Sequence, residues 1–124
     1  MFMYVFSLKS QDRLNTCTPD LVRLFNEVIK HRDCKVICGR RDAQAQFQAY
    51  KNGYSKKKYP NSYHNRFPSQ AADVTPHPLD WDDIEGFKAF GNFVLGVAAV
   101  MEINIEWGGR FEGFFDGAHY QIPE

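Results

Sequence analysis

The segment IEGFKAFGNFVLGVAAVM, residues 84–101, is the main apolar element of the chain and limits the folds that the rest can adopt. Its apolar side chains recur at helical spacing, and Asp80 or Asp82 can cap the amino end. The apolar stripe consists of Ile84, Phe87, Val94, Leu95, Ala98 and Met101. The glycines within it interrupt this stripe without ending it. We therefore predict one long helix whose apolar face packs against the core.

Two further helices and four short strands are predicted around this helix. One helix starts at Thr18-Pro19-Asp20 and continues at apolar helical spacing to about His31, and the other spans about residues 43–50. The predicted strands cover residues 35–39, 71–75, 103–107 and 118–122. We expect an α+β fold, in which a mostly antiparallel sheet is flanked by about three helices.

Composition limits both the architecture and the partners. The chain has 124 residues, of which 44% are hydrophobic, so residues 1–124 are expected to form a single domain that folds unaided as a monomer. Fifteen basic and fifteen acidic residues cancel, which argues against nucleic acid or an anionic membrane as the partner. No apolar run approaches the roughly 20 residues that cross a bilayer. The amino-terminal MFMYVFSLKS does not resemble a signal peptide, so we expect synthesis in the cytoplasm.

The cysteines are interpreted as reduced and structural. Cys17, Cys34 and Cys38 are odd in number, and a protein made in the cytoplasm has no oxidising compartment in which to pair them. Cys34 and Cys38 lie about 13 Å apart if they share a strand that rises about 3.3 Å per residue. They cannot then bind one zinc ion together, and we predict that they are small buried apolar residues. The segment Ser55–Asn61 is predicted to be a solvated loop.

His64, Asp73 and His119 can together hold a catalytic zinc ion. Such an ion takes three protein ligands from histidine and carboxylate side chains at about 2.0–2.2 Å and keeps a fourth position for water. The three residues lie at or near predicted strands, whose ends can converge on one site of the sheet. His31 and His77 are instead interpreted as a helix-end cation and a loop residue.

Asp116 and the pair Arg40-Arg41 are the other candidates for chemistry. Asp116 precedes His119 by three residues, which suits a general base close to the metal. A turn-forming aspartate before glycine is the alternative. A guanidinium at the predicted strand-to-helix junction can bind a substrate carboxylate or a developing oxyanion, and either Arg40 or Arg41 fits that role or that of a surface charge.

Four blocks covering nearly the whole chain resemble the D-alanyl-D-alanine carboxypeptidase family of zinc peptidases, and within it phage endolysins that are L-alanyl-D-glutamate endopeptidases. The blocks are Ser7–Ser10 with Arg13-Leu14 and Pro19–Leu21; Gly39–Arg41 with Gln46; Pro60–Asn65 with Pro68–Asp73; and Trp107–Gly109 with Asp116–His119. Eight residues separate His64 from Asp73, two more than in the commonest form, so a bulge is expected within Asn65–Gln70. Arg110-Phe111 stand where many relatives have Asp-Trp.

This resemblance implies a zinc enzyme that hydrolyses an amide bond in the stem peptide of peptidoglycan. It assigns one Zn²⁺ to His64, Asp73 and His119, and the base to Asp116. It also selects Arg41 over Arg40 as the arginine that binds and stabilises the substrate. Further substrate contacts are expected from Ser62, Gln46 and Trp107. The enzyme is then expected to act on the cell wall after release through a membrane lesion.

Three other interpretations are weighed against this one. A D-Ala-D-Ala carboxypeptidase needs a closed pocket for the terminal carboxylate, whereas the short Gly-rich loop Gly108–Gly117 favours an open groove. A non-catalytic zinc-containing cell-wall-binding module gains nothing from Asp116 beside an open coordination position. A nucleic-acid site or histidine nuclease built on Lys56–Lys58, Tyr59, His64 and Asn65 conflicts with the zero net charge.

Overall fold

The computed structural model describes residues 3–124, which form an α+β domain as predicted. The helices in these residues are α1 (Leu8–Leu14), α2 (Pro19–Val28), α3 (Ala43–Lys51) and α4 (Ile84–Val100), and the strands are β1 (Cys34–Cys38), β2 (Ala71–Pro76), β3 (Glu106–Trp107) and β4 (His119–Gln121). All strand pairs are antiparallel, in the order β1-β2-β4-β3. Among the described helices, none is long and apolar enough to cross a membrane.

Helices α2 and α4 supply a large part of the apolar core, and the sheet supplies much of the rest. The predicted stripe of α4 is largely confirmed, because Phe87, Val94 and Ala98 are buried, although Ile84 at its start is exposed. Tyr120 on β4 is fully buried, and its ring packs edge-on against Phe25 of α2 at 5.2 Å between centroids. The sheet therefore has one face covered by helices, which leaves the other face available for a site.

Helix α1 was not predicted, and β3 is shorter than predicted. After α4 the chain makes a Schellman turn, in which Glu102 adopts a positive φ of 59° and the Ile103 amide donates to the Ala98 carbonyl at 2.9 Å. This cap uses the backbone of residues that were expected to begin the strand. The predicted strand 103–107 consequently pairs only at Glu106–Trp107.

Side-chain alternation along β2 and β4 separates core residues from site residues. Ala72, Val74 and Tyr120 point into the core and are completely buried, whereas Asp73 and His119 are only partly buried. Successive side chains of a strand face opposite sides of the sheet. The uncovered face therefore receives Asp73 and His119.

Candidate active site

The register of the sheet brings three polar or thiol side chains into one row. Asp73 on β2 pairs with Cys38 on β1 and with His119 on β4. Directly opposed residues in antiparallel strands hold their Cβ atoms about 4.5–5.5 Å apart. The pairing therefore places these three side chains side by side on the uncovered face, although Asp73 and His119 lie 46 positions apart in the sequence.

His64 reaches this row from a short 3₁₀ turn, Tyr63–Asn65, that a capping box holds in place. The Ser62 hydroxyl accepts from the His64 amide at 3.2 Å, and the Asn65 side chain accepts from the Ser62 amide at 3.0 Å. The His64 ring is buried, and its Nδ1 lies 2.7 Å from the Gly39 carbonyl. Because a carbonyl oxygen can only accept, Nδ1 donates to it, and Nε2 is the nitrogen left to face Asp73.

His119 is oriented by a similar contact on its far side. Its Nε2 lies 2.7 Å from Oε1 of Gln121, and the Gln121 amide nitrogen donates to Glu106 at 2.7 Å. The second bond fixes which end of the Gln121 amide faces His119, so Nε2 of His119 donates and Nδ1 is the nitrogen left to face Asp73. Both histidines thus aim at Asp73 a ring nitrogen that can bind a metal ion once it carries no proton.

The separations around Asp73 match those of a zinc centre. Its Oδ1 atom lies 3.3 Å from Nε2 of His64 and 3.3 Å from Nδ1 of His119. A tetrahedral zinc ion with ligands at about 2.0–2.1 Å holds its ligand atoms about 3.3 Å apart. Within residues 3–124, Nε2 of His64 is buried without a hydrogen-bond partner, which a metal bond would satisfy. The donor types and these two separations therefore suit a metal ion, although His119 lies outside the group whose ligand atoms all lie within 4.8 Å of one another, Cys38, His64 and Asp73.

The electrostatics of this cluster also favour a cation. Burial by itself lowers the pKa of His64, but the Asp73 carboxylate outweighs it and raises this pKa to about 10. Burial likewise raises the pKa of Asp73, but His64 and His119 hold it well below its usual range. Asp73 therefore stays ionised, and its negative charge favours a positive charge between the histidines, either a proton or a metal ion.

Cys38 belongs to the same cluster, contrary to its interpretation as a buried small apolar residue. Cys38, His64 and Asp73 offer ligand atoms within 4.8 Å of one another and form a possible metal-binding group near the sheet. The Cys38 sulfur lies 3.8 Å from Nδ1 of His64, the nitrogen that already contacts Gly39. Cys34, by contrast, is buried in the core as predicted. A bulge between Val36 and Cys38 turns the second thiol toward the site.

Arg41 lies in the cleft beside this cluster, and Arg40 does not line it. One guanidinium nitrogen of Arg41 lies 3.4 Å from Oδ2 of Asp73, and another donates to Oε1 of Gln46 at 3.2 Å. The Arg40 guanidinium instead lies over the ring of Phe67, 5.1 Å from its centroid. Arg41, which the family resemblance selects over Arg40, is therefore the one of the two that lines the cleft.

Gln46 and Trp107 underlie the site, and neither lines the cleft in the described structure. Gln46 is fully buried, and its amide binds Arg41, Asn65, Ser55 and the Lys57 carbonyl. Trp107 is buried, and its indole N–H donates to the Gly117 carbonyl at 2.8 Å. Both residues therefore lie beneath the groups that line the cleft and support them. They do not lie at the cleft surface, where substrate contact is expected. Ser62 does line the cleft.

Asp116 is held over the site by a turn. Its carbonyl accepts from the His119 amide at 3.1 Å, and its own amide donates to Gly108 at 3.0 Å. A side chain at Gly108 would lie 2.2 Å from the Asp116 carbonyl oxygen, so only glycine permits this approach. Partial burial, and then the charge of Asp73, raise the pKa of Asp116 above its ordinary value. A carboxyl group with a raised pKa is a stronger base when ionised.

The site lies at the floor of a cleft of about 720 Å³. One wall is formed by residues 53–57 and the other by Phe111, Phe114 and Phe115, with Trp81 also exposed on the lining. Phe111, one of the two departures from the family pattern, packs against the His119 ring at 5.9 Å between centroids. Its neighbour Arg110 points away and donates to Asn92.

The longer segment between His64 and Asp73 is accommodated outside the cleft. Ser69 is fully buried, its amide donates to Thr16 at 2.9 Å, and its carbonyl accepts from Thr18 at 2.9 Å. These bonds tie the segment to the α1–α2 connection. Phe67, at the outside of the bulge, is 83% exposed. Asp73 consequently keeps its register with His119 despite the extra residues.

Comparison with known proteins gave a family match and similar solved structures. The family model for phage L-alanyl-D-glutamate peptidase matches residues 2–121. Among solved structures, the crystal structure of the Serratia marcescens L-Ala D-Glu endopeptidase ChiX is similar, with a TM-score of 0.81 and 25% sequence identity over 96% of this chain and 90% of that one. No curated protein sequence matches the chain.

Proposed function

Because the chain belongs to the phage L-alanyl-D-glutamate peptidase family, we propose that it is a zinc-dependent endopeptidase that hydrolyses the bond between L-alanine and D-glutamate in the peptidoglycan stem peptide. The observation that carries this proposal is the position of Asp73, 3.3 Å from one nitrogen of each of two histidines. The similar Serratia protein is itself named an L-Ala D-Glu endopeptidase. As in a phage endolysin, the enzyme acts on the wall during host lysis.

The proposed ligands are Nε2 of His64, Nδ1 of His119 and a carboxylate oxygen of Asp73. When bound there, zinc lowers the pKa of a coordinated water toward 7 and polarises the peptide carbonyl. The contacts to Gly39 and Gln121 favour the tautomers that metal binding by both histidines requires.

Asp116 transfers protons during the reaction, and Arg41 stabilises the negative charge that develops. Asp116 takes the proton of the attacking water and then delivers it to the departing amine of D-glutamate, so one carboxylate serves both proton transfers. Its exposure to the cleft and raised pKa suit this exchange. Arg41 donates to the carbonyl oxygen as negative charge develops there. Gln46 holds the guanidinium at 3.2 Å and so limits its freedom before the substrate binds.

The cleft shape favours an endopeptidase over a carboxypeptidase. Its rim residues Tyr54 and Phe114 are 83% and 51% exposed, so both walls open to solvent and a peptide can continue past the site. A binding module without activity would have no use for Asp116, whose carboxylate makes no side-chain hydrogen bond or ion pair within residues 3–124.

Mass spectrometry of digested peptidoglycan tests this function. The zinc-loaded enzyme is expected to release fragments with a new D-glutamate amino terminus, and a chelator should abolish them. Asp116→Asn should lower the rate by about 10²- to 10⁴-fold with zinc content retained, whereas His64→Ala should lose zinc as well. Glu112→Gln is the matched control, because this exposed acid lies in the same loop outside the cleft.

Each alternative function predicts different products in the same peptidoglycan digest. Free D-alanine would identify a carboxypeptidase, and intact peptidoglycan from a folded, zinc-loaded sample would identify a binding module. Full activity of Asp116→Asn would overturn the assignment of the base.

A further inference from the structure

Two lysines on one wall of the cleft have no assigned role in this chemistry. Lys56 and Lys57 line the cleft, and Lys58, the next residue, does not. Their ammonium groups lie over aromatic rings of the same cleft: Lys56 lies 5.3 Å from the centroid of Phe114, and Lys57 lies 5.7 Å from that of Tyr63. Aromatic faces thus hold both charges at the wall.

These charges are not neutralised by the protein. Among the ion pairs of residues 3–124, none involves Lys56 or Lys57. The third cation of the cleft, Arg41, already contacts Asp73 and Gln46. The two lysines are therefore the cations that remain for a negative group on the substrate.

The wall itself is anchored from beneath. The amide nitrogen of the fully buried Gln46 donates to the Lys57 carbonyl at 2.7 Å and to the Ser55 hydroxyl at 2.9 Å. Oε1 of the same amide accepts from Arg41. One buried side chain therefore fixes the lysine wall, a solvated loop as predicted, relative to the arginine that faces the reacting carbonyl.

The substrate supplies a matching charge. Glutamate has two carboxyl groups, and only one continues a linear stem peptide, so the residue after the scissile bond presents the other as a free carboxylate. We propose that Lys56 and Lys57 bind this carboxylate, so that the enzyme prefers stem peptides with the free acid over those in which it is an amide. This inference rests on the proposed function.

Paired synthetic stem peptides, one with the free acid and one with the amide at this glutamate, test the inference. The wild-type zinc enzyme should show a kcat/KM roughly 5-fold or more higher for the acid, as expected for charge pairs at a partly solvated wall, and added salt should reduce this ratio. In the double variant K56Q/K57Q the KM for the acid should rise and the ratio should fall toward one.

Lys58→Gln is the matched control, because Lys58 lies over Tyr50 at 5.1 Å and outside the cleft lining. It should keep the wild-type ratio. Equal cleavage of the two peptides by wild type, or a wild-type ratio in K56Q/K57Q, would overturn the inference while leaving the endopeptidase intact. Cleavage of neither peptide by wild type would instead mean that the proposed function fails, and the inference with it.

Discussion

The tautomer of His119 depends on a side chain two residues further along the same strand. Gln121 accepts from His119 and donates to Glu106, and strand pairing places Glu106 directly opposite Gln121. If the Gln121 amide were reversed, two donors would face each other at His119 and two acceptors at Glu106. Glu106 therefore acts on His119 through Gln121 and makes no direct hydrogen bond to His64, Asp73 or His119 within residues 3–124.

Replacing Gln121 by leucine should weaken zinc binding about 10- to 100-fold, because His119 loses the acceptor that holds its ring and tautomer. Competition with a chromogenic chelator measures this affinity directly and independently of catalysis. Gln48→Leu provides the control, since Gln48 is exposed on α3. Unchanged zinc affinity in Gln121→Leu would show that His119 needs no such support.

The residues around His119 show which parts of the site the sequence can predict. The residue types and spacing predicted His64, Asp73, His119 and Asp116, and the structure brings all four to one cleft. Gln121 could have been found from the period of two along a strand, which places it on the face of His119. Cys38 could not, because a regular strand gives no sign of the bulge that turns its thiol inward.

Helix α4 helps to position Trp107, because a glycine at their contact leaves room for the indole ring. The Trp107 indole lies against Gly91 of α4, and a Cβ at Gly91 would come within 2.2 Å of its ring. Gly109 meets the same ring at the same distance. Trp107 in turn bonds to Gly117, next to Asp116. The glycine on the helix thus helps to set the position of the loop that carries Asp116.

Two glycine-to-alanine changes on this helix should have opposite effects. Gly91→Ala should destabilise the fold by about 1–3 kcal/mol through overpacking against Trp107. Gly96→Ala should stabilise it by about 1 kcal/mol, because nothing lies within 4 Å of the added methyl group and alanine is the better helix former. Urea unfolding of the two variants measures both. A neutral Gly91→Ala would mean that the indole can move aside.

Elements whose apolar residues recur with a clear period could be predicted from the sequence. Elements that depend on tertiary contacts could not. Helix α4 was expected at 84–101 and is observed at Ile84–Val100. Helix α1 has only seven residues, and its buried Ser10 accepts from the Val36 amide at 3.1 Å on β1. Contacts with the sheet, rather than an apolar stripe, stabilise it. Such a helix has no periodic signature, since short isolated helices are marginal in water.

At the scale of the whole molecule, the core buries ionisable groups in their neutral forms. Burial raises the pKa of Cys17 and of Cys34 to about 12 from an ordinary value of 9.0. Burial also raises the pKa of Tyr120 above its usual range. These groups stay protonated in the fold because their charged forms would lose hydration. In the unfolded chain they ionise at their ordinary values.

The stability of the metal-free protein should therefore fall as the pH rises above about 9. Between pH 9 and 12 the unfolded chain binds fewer protons than the fold, so each buried thiol should lower the free energy of unfolding by about 1.4 kcal/mol per pH unit. Urea unfolding at pH 8, 9, 10 and 10.5, with reductant and chelator, measures this slope.

Cys34→Ala should give a shallower slope than wild type, since one such group is removed. Val28→Ala loses comparable packing at a fully buried site but removes no ionisable group, so its slope should match that of wild type. Parallel lines for wild type and Cys34→Ala would show that this thiol ionises alike in both states.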